Sequence, residues 1–152
     1  MTHVFIREAT EADLPRIVAL LAQLDPDDLK REDRGAPLPG VYQSALRQLT
    51  EAGHKLLVVD DGARLLGTLA LYVVPNISHR GSPFALVENV VVDDQERSSG
   101  FGKLLMEHAE KTARSLGCYK LVLTSNKRRI DAHRFYEGLG FRPASEGFRK
   151  NL

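Results

Sequence analysis

A single cysteine, Cys118, is all that this chain of 152 residues carries, which excludes an internal disulfide. Flanked by Leu116-Gly117 and Tyr119, with no base nearby, it reads as a small buried hydrophobe and not as a nucleophile. Neither sign of charge is in excess: 21 Lys and Arg against 20 Asp and Glu leave a formal net charge of +1, which gives no reason to expect a nucleic-acid or anionic-membrane partner. No apolar run approaches the ~20 residues that span a bilayer. Val4-Phe5-Ile6 is broken by Arg7 and Glu8 too early for a signal-peptide core, so a cytoplasmic protein is expected. Repeats, low-complexity tracts and dividing linkers are also missing. One domain over residues 1–152 is the expectation, because a chain of this size buries about 68–70% of its unfolded surface. His108 and His133 lack a second ligand at helical spacing, so no metal site is expected.

What is present is a regular alternation of elements. Val4 to Arg7 alternates like an edge strand, and Thr10-Glu11-Ala12-Asp13 offers caps for a helix with Leu14, Ile17, Val18, Leu21 and Leu24 at helical period. Pro15 fits only its first turn. Residues 25–40 form a long polar loop, and such loops are more often functional or mobile than inert. A second helix is expected from Val41 to Ala52, ending at Gly53. Lys55 to Asp60 and Arg64 to Val74 read as antiparallel strands joined at Asp61-Gly62. The near-continuous apolar run from Phe84 to Val92 predicts a strand buried on both faces. A helix from about Phe101 to Leu116 stops at Gly117; Tyr119 to Thr124 is the next strand; a helix with Ala132, Phe135, Tyr136 and Leu139 inward ends at Gly140; and Phe141 and Phe148 suggest final β segments. The order β-α-α-β-β-β-α-β-α-β combines an antiparallel first half with β-α-β character in the second.

Chemistry concentrates between the central strand and the helix after it. Arg97-Ser98-Ser99-Gly100-Phe101-Gly102 forms a glycine-bearing turn at a helix start, where unpaired backbone N–H groups meet the positive end of the helix dipole and favour phosphate oxygens. No Gly-x-x-x-x-Gly-Lys-[Ser/Thr] run exists for a nucleoside triphosphate, and Gly100-x-Gly102 lacks the third glycine of the dinucleotide fingerprint. The two glycines also fit a tight turn and a close helix–strand contact with no ligand.

The run Arg97 to Gly102, following Val90-Val91-Val92-Asp93, resembles the Arg/Gln-x-x-Gly-x-Gly/Ala signature of the GNAT superfamily of N-acetyltransferases. Ala132-His133-Arg134-Phe135-Tyr136-Glu137-Gly138-Leu139-Gly140-Phe141 is similar to its second signature, and the ordered pair makes the resemblance specific. The stretch Asn126 to Tyr136 and the ending Phe148-Arg149-Lys150-Asn151-Leu152 look like the small-amine branch that includes aminoalkylphosphonate acetyltransferases. The resemblance implies an α/β (α+β) fold, with a mixed sheet of about six to seven strands and four flanking helices. It implies acetyl-coenzyme A as co-substrate and no metal, a small-molecule amine as acceptor, and a homodimer, which nothing in the composition demands.

On that resemblance the amides of Arg97, Ser98, Ser99, Gly100, Phe101 and Gly102 cradle the coenzyme A pyrophosphate, and the pantetheine arm runs along Val90, Val91 and Val92. Lys103, Lys127, Arg128 and Arg129 are outer phosphate contacts or solvated cations; Asn126 is a cofactor contact or a turn former. Glu88 stands inside Leu86-Val87-Glu88-Asn89-Val90, where a carboxylate is expensive unless used or paired. It is either the catalytic base or a carboxylate that binds without moving protons. The family places Tyr136 near the sulfur as general acid; the alternative is a plain core tyrosine. Asp27 and Asp28, within the acidic set Asp25 to Asp33, and His79 are substrate-binding candidates against a solvated loop. The competing functions are a non-catalytic acyl-coenzyme A sensor and an acetyltransferase for protein N-termini or lysines.

Overall fold

The computed structural model describes residues 3–24 and 39–152. Backbone contacts divide the chain into two compact units, Met1–Val122 and Leu123–Leu152.

The first unit is built on strands β1 (Phe5–Glu8), β2 (Lys55–Asp60), β3 (Leu65–Val74) and β4 (Phe84–Val92), with helices α1 (Leu14–Leu21), α2 (Val41–Glu51) and α3 (Phe101–Ser115). Strand β5 (Leu121–Leu123) follows α3 and completes a five-stranded sheet in the order β1-β2-β3-β4-β5. The first four strands pair antiparallel, with Arg7 opposite Val58, Val58 opposite Thr68, and Gly67 opposite Val92. The expected turn between β2 and β3 forms because Gly62 takes a φ of 86° and the Asp61 carboxylate accepts from the amides of Ala63 and Arg64, both at 2.8 Å. Bonds from Tyr119 N to Pro83 O and from Ala85 N to Lys120 O, each 3.0 Å, advance in the same direction on both strands. The chain therefore enters β5 parallel to β4, and α3 is the crossover.

Residues directly opposite in the ladders share a face. Leu56, Val58, Thr68, Ala70, Glu88 and Val91 lie on one side, where Ile17 and Leu20 of α1 pack against Val58, Leu65 and Val91. The opposite side carries Val59, Gly67 and Val92 and receives α3: a Cβ on Gly67 would lie 2.9 Å from the Val91 carbonyl oxygen and 3.3 Å from Leu105 Cδ1.

Strand β4 departs from the expected continuous burial. Ala85, Val87 and Val91 are buried, but Asn89 is exposed. The register explains why: Thr68 faces Val91 and Ala70 faces Glu88, so two steps on β3 span three on β4. The extra residue is a bulge, with Asn89 at a φ of 56°, a left-handed conformation that asparagine tolerates better than branched residues.

In the second unit α4 (Ile130–Gly138) forms, but among the described residues no strand follows it, which corrects the expected final β segments and gives five strands there in place of six to seven. Phe141 is used elsewhere: its amide donates to the Tyr136 carbonyl at 3.1 Å and its ring packs edge-on to Tyr136 at 6.0 Å. Pro143 removes a donor next in line, and Phe148 is exposed. Among the described residues no helix is long and apolar enough to cross a membrane.

Before α1, Asp13 accepts from the Thr10 amide at 2.7 Å and pairs with Arg7 at 2.7 Å, and Arg7 also reaches Asp60 at 2.8 Å. The Arg7 hydrogen bond, ahead of the Thr10 amide, holds the Asp13 carboxyl at a pKa of about 2 despite partial burial. A depressed carboxyl stabilises the fold above its unfolded value near 4 and loses that contribution as pH falls through about 2. Asp13→Asn is expected to cost about 1 kcal/mol at pH 7 after solvent screening, or about 2–4 °C in Tm. The gap to wild type should shrink as pH drops below about 4. A gap that stayed constant from pH 7 to pH 3 would contradict the ion-pair assignment.

Candidate active site

The bulge in β4 and the loop after it bring most of the sequence-predicted residues into one stretch of the first unit. Glu88 immediately precedes the bulge, half-buried on the α1 side of the sheet, and its carboxylate has no hydrogen-bonding or ionic partner among the described residues. Burial alone pushes its pKa up from the ordinary carboxylate range. Tyr72, one pleat from the Glu88 partner Ala70 and on the same face, has its phenol pushed up first by burial and then by the Glu88 charge. His54 packs edge-on to Tyr72 at 5.1 Å and accepts the Val73 amide on Nδ1 at 3.0 Å, which leaves the proton of a neutral ring on Nε2. The Tyr72–His54 pair lay outside the sequence reading because only the strand register places Tyr72 beside Glu88.

At the bulge the ladder is locally disrupted, and Val90, Val91 and Val92 follow it, Val91 being buried and the other two half-buried. Beyond Asp93 and a single 3-10 turn at Asp94–Glu96, the loop adopts alternating backbone signs. Arg97 is extended (φ −60°, ψ 144°), Ser98 is left-handed (φ 68°), and Gly100 is left-handed again (φ 87°) at the start of α3. Such alternation can turn N–H groups toward one concavity that suits an anion, but the expected Ser99 donor is not among them, because its amide donates to the Glu96 carbonyl at 3.2 Å. The amides of Phe101, Gly102 and Lys103 precede the first intrahelical bond, Leu104 N to Gly100 O, and have no backbone partner among the described residues. No atom lies within 4 Å of a Cβ built on Gly100, so conformation and not packing requires glycine there. The observed loop thus fits a phosphate-bearing ligand held mainly by main-chain donors. Its side chains are largely occupied: Arg97 pairs with Asp94, and exposed Lys103 lies 3.7 Å from Glu107.

His79 sits in the β3–β4 loop, where His79, Arg80 and Gly81 have successive positive φ values of 53°, 60° and 76°. Its ring stacks on Tyr119 at 3.8 Å, and Nδ1 lies 3.0 Å from the Ser78 hydroxyl, so its orientation is set from two sides. Cys118 is half-buried, not fully buried, and burial pushes its thiol up. Asp27 and Asp28 lie outside the described residues. A shallow groove lined by Phe5, Ile6, Leu104 and His108 lies on the α3 side of the sheet, the face opposite Glu88.

In the second unit Tyr136 is 9% exposed, edge-on to Phe135 at 5.1 Å, and its hydroxyl has no hydrogen-bond partner among the described residues. Burial raises its pKa, with the Arg129 charge opposing. Asn126 builds a turn: its side-chain oxygen accepts from Arg128 N at 2.9 Å and its carbonyl lies 2.9 Å from His133 Nε2. Beside it, the Ser125 hydroxyl is buried without a partner. No group of three potential metal-ligating side chains occurs among the described residues.

The model of the acetyltransferase (GNAT) family matches residues 18–141 of this chain. The chain belongs to the GNAT family. It is an acetyltransferase enzyme with the GNAT fold, among the described residues a mixed five-stranded sheet with four helices. A structure described as a transcriptional regulator from Bacillus halodurans C-125 is 37% identical, with a TM-score of 0.88, and the match covers 99% of this chain and 100% of that one. The glucosamine 6-phosphate N-acetyltransferase of Trypanosoma brucei brucei is 29% identical over 150 residues, 97% of this chain and 95% of its own. The aminoalkylphosphonate N-acetyltransferase of Salmonella typhimurium is 29% identical over 147 residues, 97% of this chain and 90% of its own.

Proposed function

We propose that this GNAT enzyme transfers an acetyl group from acetyl-coenzyme A directly to the primary amine of a small molecule that also carries a phosphate or phosphonate group. The observation that carries the catalytic part is Glu88, an unpaired, desolvated carboxylate among the described residues, placed just before a bulge and an amide-lined loop on one strand. The acceptor class is supported by the two relatives named above, whose acceptors differ in skeleton but share an amine and a phosphorus oxyanion.

The amides of Arg97, Ser98, Gly100, Phe101 and Gly102 would hold the pyrophosphate, each charged hydrogen bond contributing about 1.5–3 kcal/mol, while the Ser99 amide is taken by the Glu96 carbonyl at 3.2 Å. The pantetheine arm would lie along Val90 to Val92, with Asn126 as a further contact; bound there, acetyl-coenzyme A supplies the activated thioester. An alkyl amine with a pKa near ~10 is protonated at neutral pH and cannot attack. Glu88 takes that proton, directly or through a water, and its raised pKa brings it nearer the working pH. The amine nitrogen then bonds to the thioester carbonyl carbon while a backbone N–H of the Val90–Val92 segment steadies the developing oxyanion. The carbon–sulfur bond breaks, its electron pair leaves on sulfur, and Tyr136 donates a proton to the thiolate; the second proton of the attacking nitrogen passes through water to the Tyr136 phenolate, which leaves a neutral amide and a restored phenol. His79, and Asp27 and Asp28 in the acidic loop, are assigned to the acceptor.

The test is thiol release from acetyl-coenzyme A with a panel of amines, each offered with and without its phosphate or phosphonate. The proposal expects kcat/KM to favour the phosphorus-bearing member of each pair by about tenfold or more. Equal values within each pair, or turnover confined to peptides, would overturn the acceptor class.

Tyr136→Phe separates the acid from the base. A thiolate with a pKa near ~8.5 is already a fair leaving group, so thiol release should slow by about 10²-fold or less, the low end for a general acid. The basic limb of the pH–rate profile should change and the acidic limb should not. An unaltered basic limb would leave Tyr136 as a core tyrosine.

A further inference from the structure

The residues that root the phosphate loop are held by groups that no ligand contact requires. Asp93, the residue after β4, is buried, and its carboxylate meets Arg16 of α1 and, at 3.4 Å, Arg64 of the β2–β3 turn, while its other oxygen accepts from the Gln95 amide at 3.0 Å. Arg64 continues to Glu96 at 2.5 Å, and Arg16 also donates to the Leu65 carbonyl at 3.2 Å. The Asp93 amide bonds the Leu66 carbonyl at 2.8 Å, and the Asp94 amide bonds the Gln23 side-chain oxygen, just beyond α1, at 2.8 Å. Residues 93–96 are thus tied to α1, to the β2–β3 turn and to one another. From Arg97 to Gly100 the side chains give the loop only the exposed Arg97–Asp94 pair among the described residues.

We propose that Asp93 and Gln23 are positioning residues for donor binding: they splint the root of the 97–102 loop so that its amides stand in a fixed array before the pyrophosphate arrives. Main-chain donors cannot reach after a displaced ligand as a long side chain can, so the affinity of an amide cradle depends on how well its root is held. Arg16 and Arg64 enter the site through Asp93. This inference rests on the reading of the loop as the coenzyme A pyrophosphate site.

A donor without the pyrophosphate separates positioning from general structure. Acetyl-pantetheine carries the same thioester and arm but nothing for the loop to hold. Asp93→Asn keeps an acceptor for the Gln95 amide while deleting the charge facing Arg16 and Arg64, and its fold is checked first by circular dichroism. Gln23→Ala applies the same test through one exposed bond and leaves the core untouched. For Asp93→Asn the KM for acetyl-coenzyme A should rise roughly ten- to a hundredfold with kcat within about twofold, and for Gln23→Ala roughly three- to tenfold. Both should leave kcat/KM for acetyl-pantetheine within about twofold of wild type, and Gln23→Glu, which retains the acceptor oxygen, should recover most of the loss. Calorimetric affinity for coenzyme A, measured with no acceptor present, should follow the same order. Equal losses with both donors, or an unchanged coenzyme A affinity in folded Asp93→Asn, would overturn the proposal. Wild-type binding of coenzyme A without turnover would overturn the catalytic reading alone, with calorimetry still deciding the splint; a wild type that binds no coenzyme A would overturn both.

Discussion

Replacing Glu88 by glutamine is expected to lower kcat by about 10²–10⁴-fold, or about 3–5 kcal/mol of barrier, and to leave acetyl-coenzyme A binding nearly intact. Glutamine keeps the shape of the side chain and cannot take a proton. Because burial raises the Glu88 pKa, the acidic limb assigned to it should lie above the ordinary carboxylate range in wild type and disappear in the variant. Stability gives an independent check of the sign. A carboxyl whose folded pKa is raised costs stability once pH climbs past its unfolded value, so Glu88→Gln should match or exceed wild-type Tm at pH 7. A variant that kept near-native kcat and an unchanged acidic limb would make Glu88 a positioning or structural group. The proton would then have to pass to ordered water or to a loop residue such as His79.

The second large effect is expected at Gly100. Acetyl-coenzyme A at about 100 times its Kd stabilises the native state by about 2.7 kcal/mol, or roughly 5–10 °C for a chain of this size, whereas acetate and NAD should give no shift. Gly100→Val should abolish most of that shift. A Cβ at Gly100 meets no atom beyond its chain neighbours, but a β-branched residue resists the observed φ of 87° at a cost of about 1–3 kcal/mol. Relief of that strain turns the amides at the start of α3 away from the anion, while the unliganded protein loses only a few degrees of Tm. An undiminished acetyl-coenzyme A shift in Gly100→Val would place the phosphate elsewhere.

The parts of this architecture legible in the sequence are those set by near neighbours. Asp61-Gly62 marks its turn because both the φ of 86° and the carboxylate acceptor are properties of those two residues. The bounds of β2 and β4 follow the apolar runs, and Gly53 and Gly117 mark helix ends where a positive φ is needed. Glu88 and Gly100 stood out as a charge in an apolar run and a glycine at a helix start. What escaped depends on partners distant in the chain. Arg16 and Asp93 are 77 residues apart, and no local pattern shows that one guanidinium and one carboxylate share a buried contact. The Asn89 bulge exists only relative to β3: an asparagine in a strand hints at a left-handed residue, but the extra step appears only when Thr68 and Ala70 are paired across it. Phe141 misled for the opposite reason, since an apolar residue after a helix can start a strand or fold back onto the helix end, and here it bonds the Tyr136 carbonyl. The loop holding Asp27 and Asp28 falls outside the described residues, so its proposed assignment to the acceptor stays with the sequence.

The most direct test of the central claim follows both products of one reaction: coenzyme A by thiol titration and the N-acetylated amine by mass spectrometry, with a phosphate- or phosphonate-bearing primary amine as acceptor. Transfer from acetyl-coenzyme A to the amine nitrogen predicts that the two products accumulate in equal amounts, that both vanish when the acceptor is omitted, and that both fall together in Glu88→Gln. Thiol released at the same rate without an acceptor, or coenzyme A bound tightly with no thiol released from acetyl-coenzyme A by any amine, would contradict it.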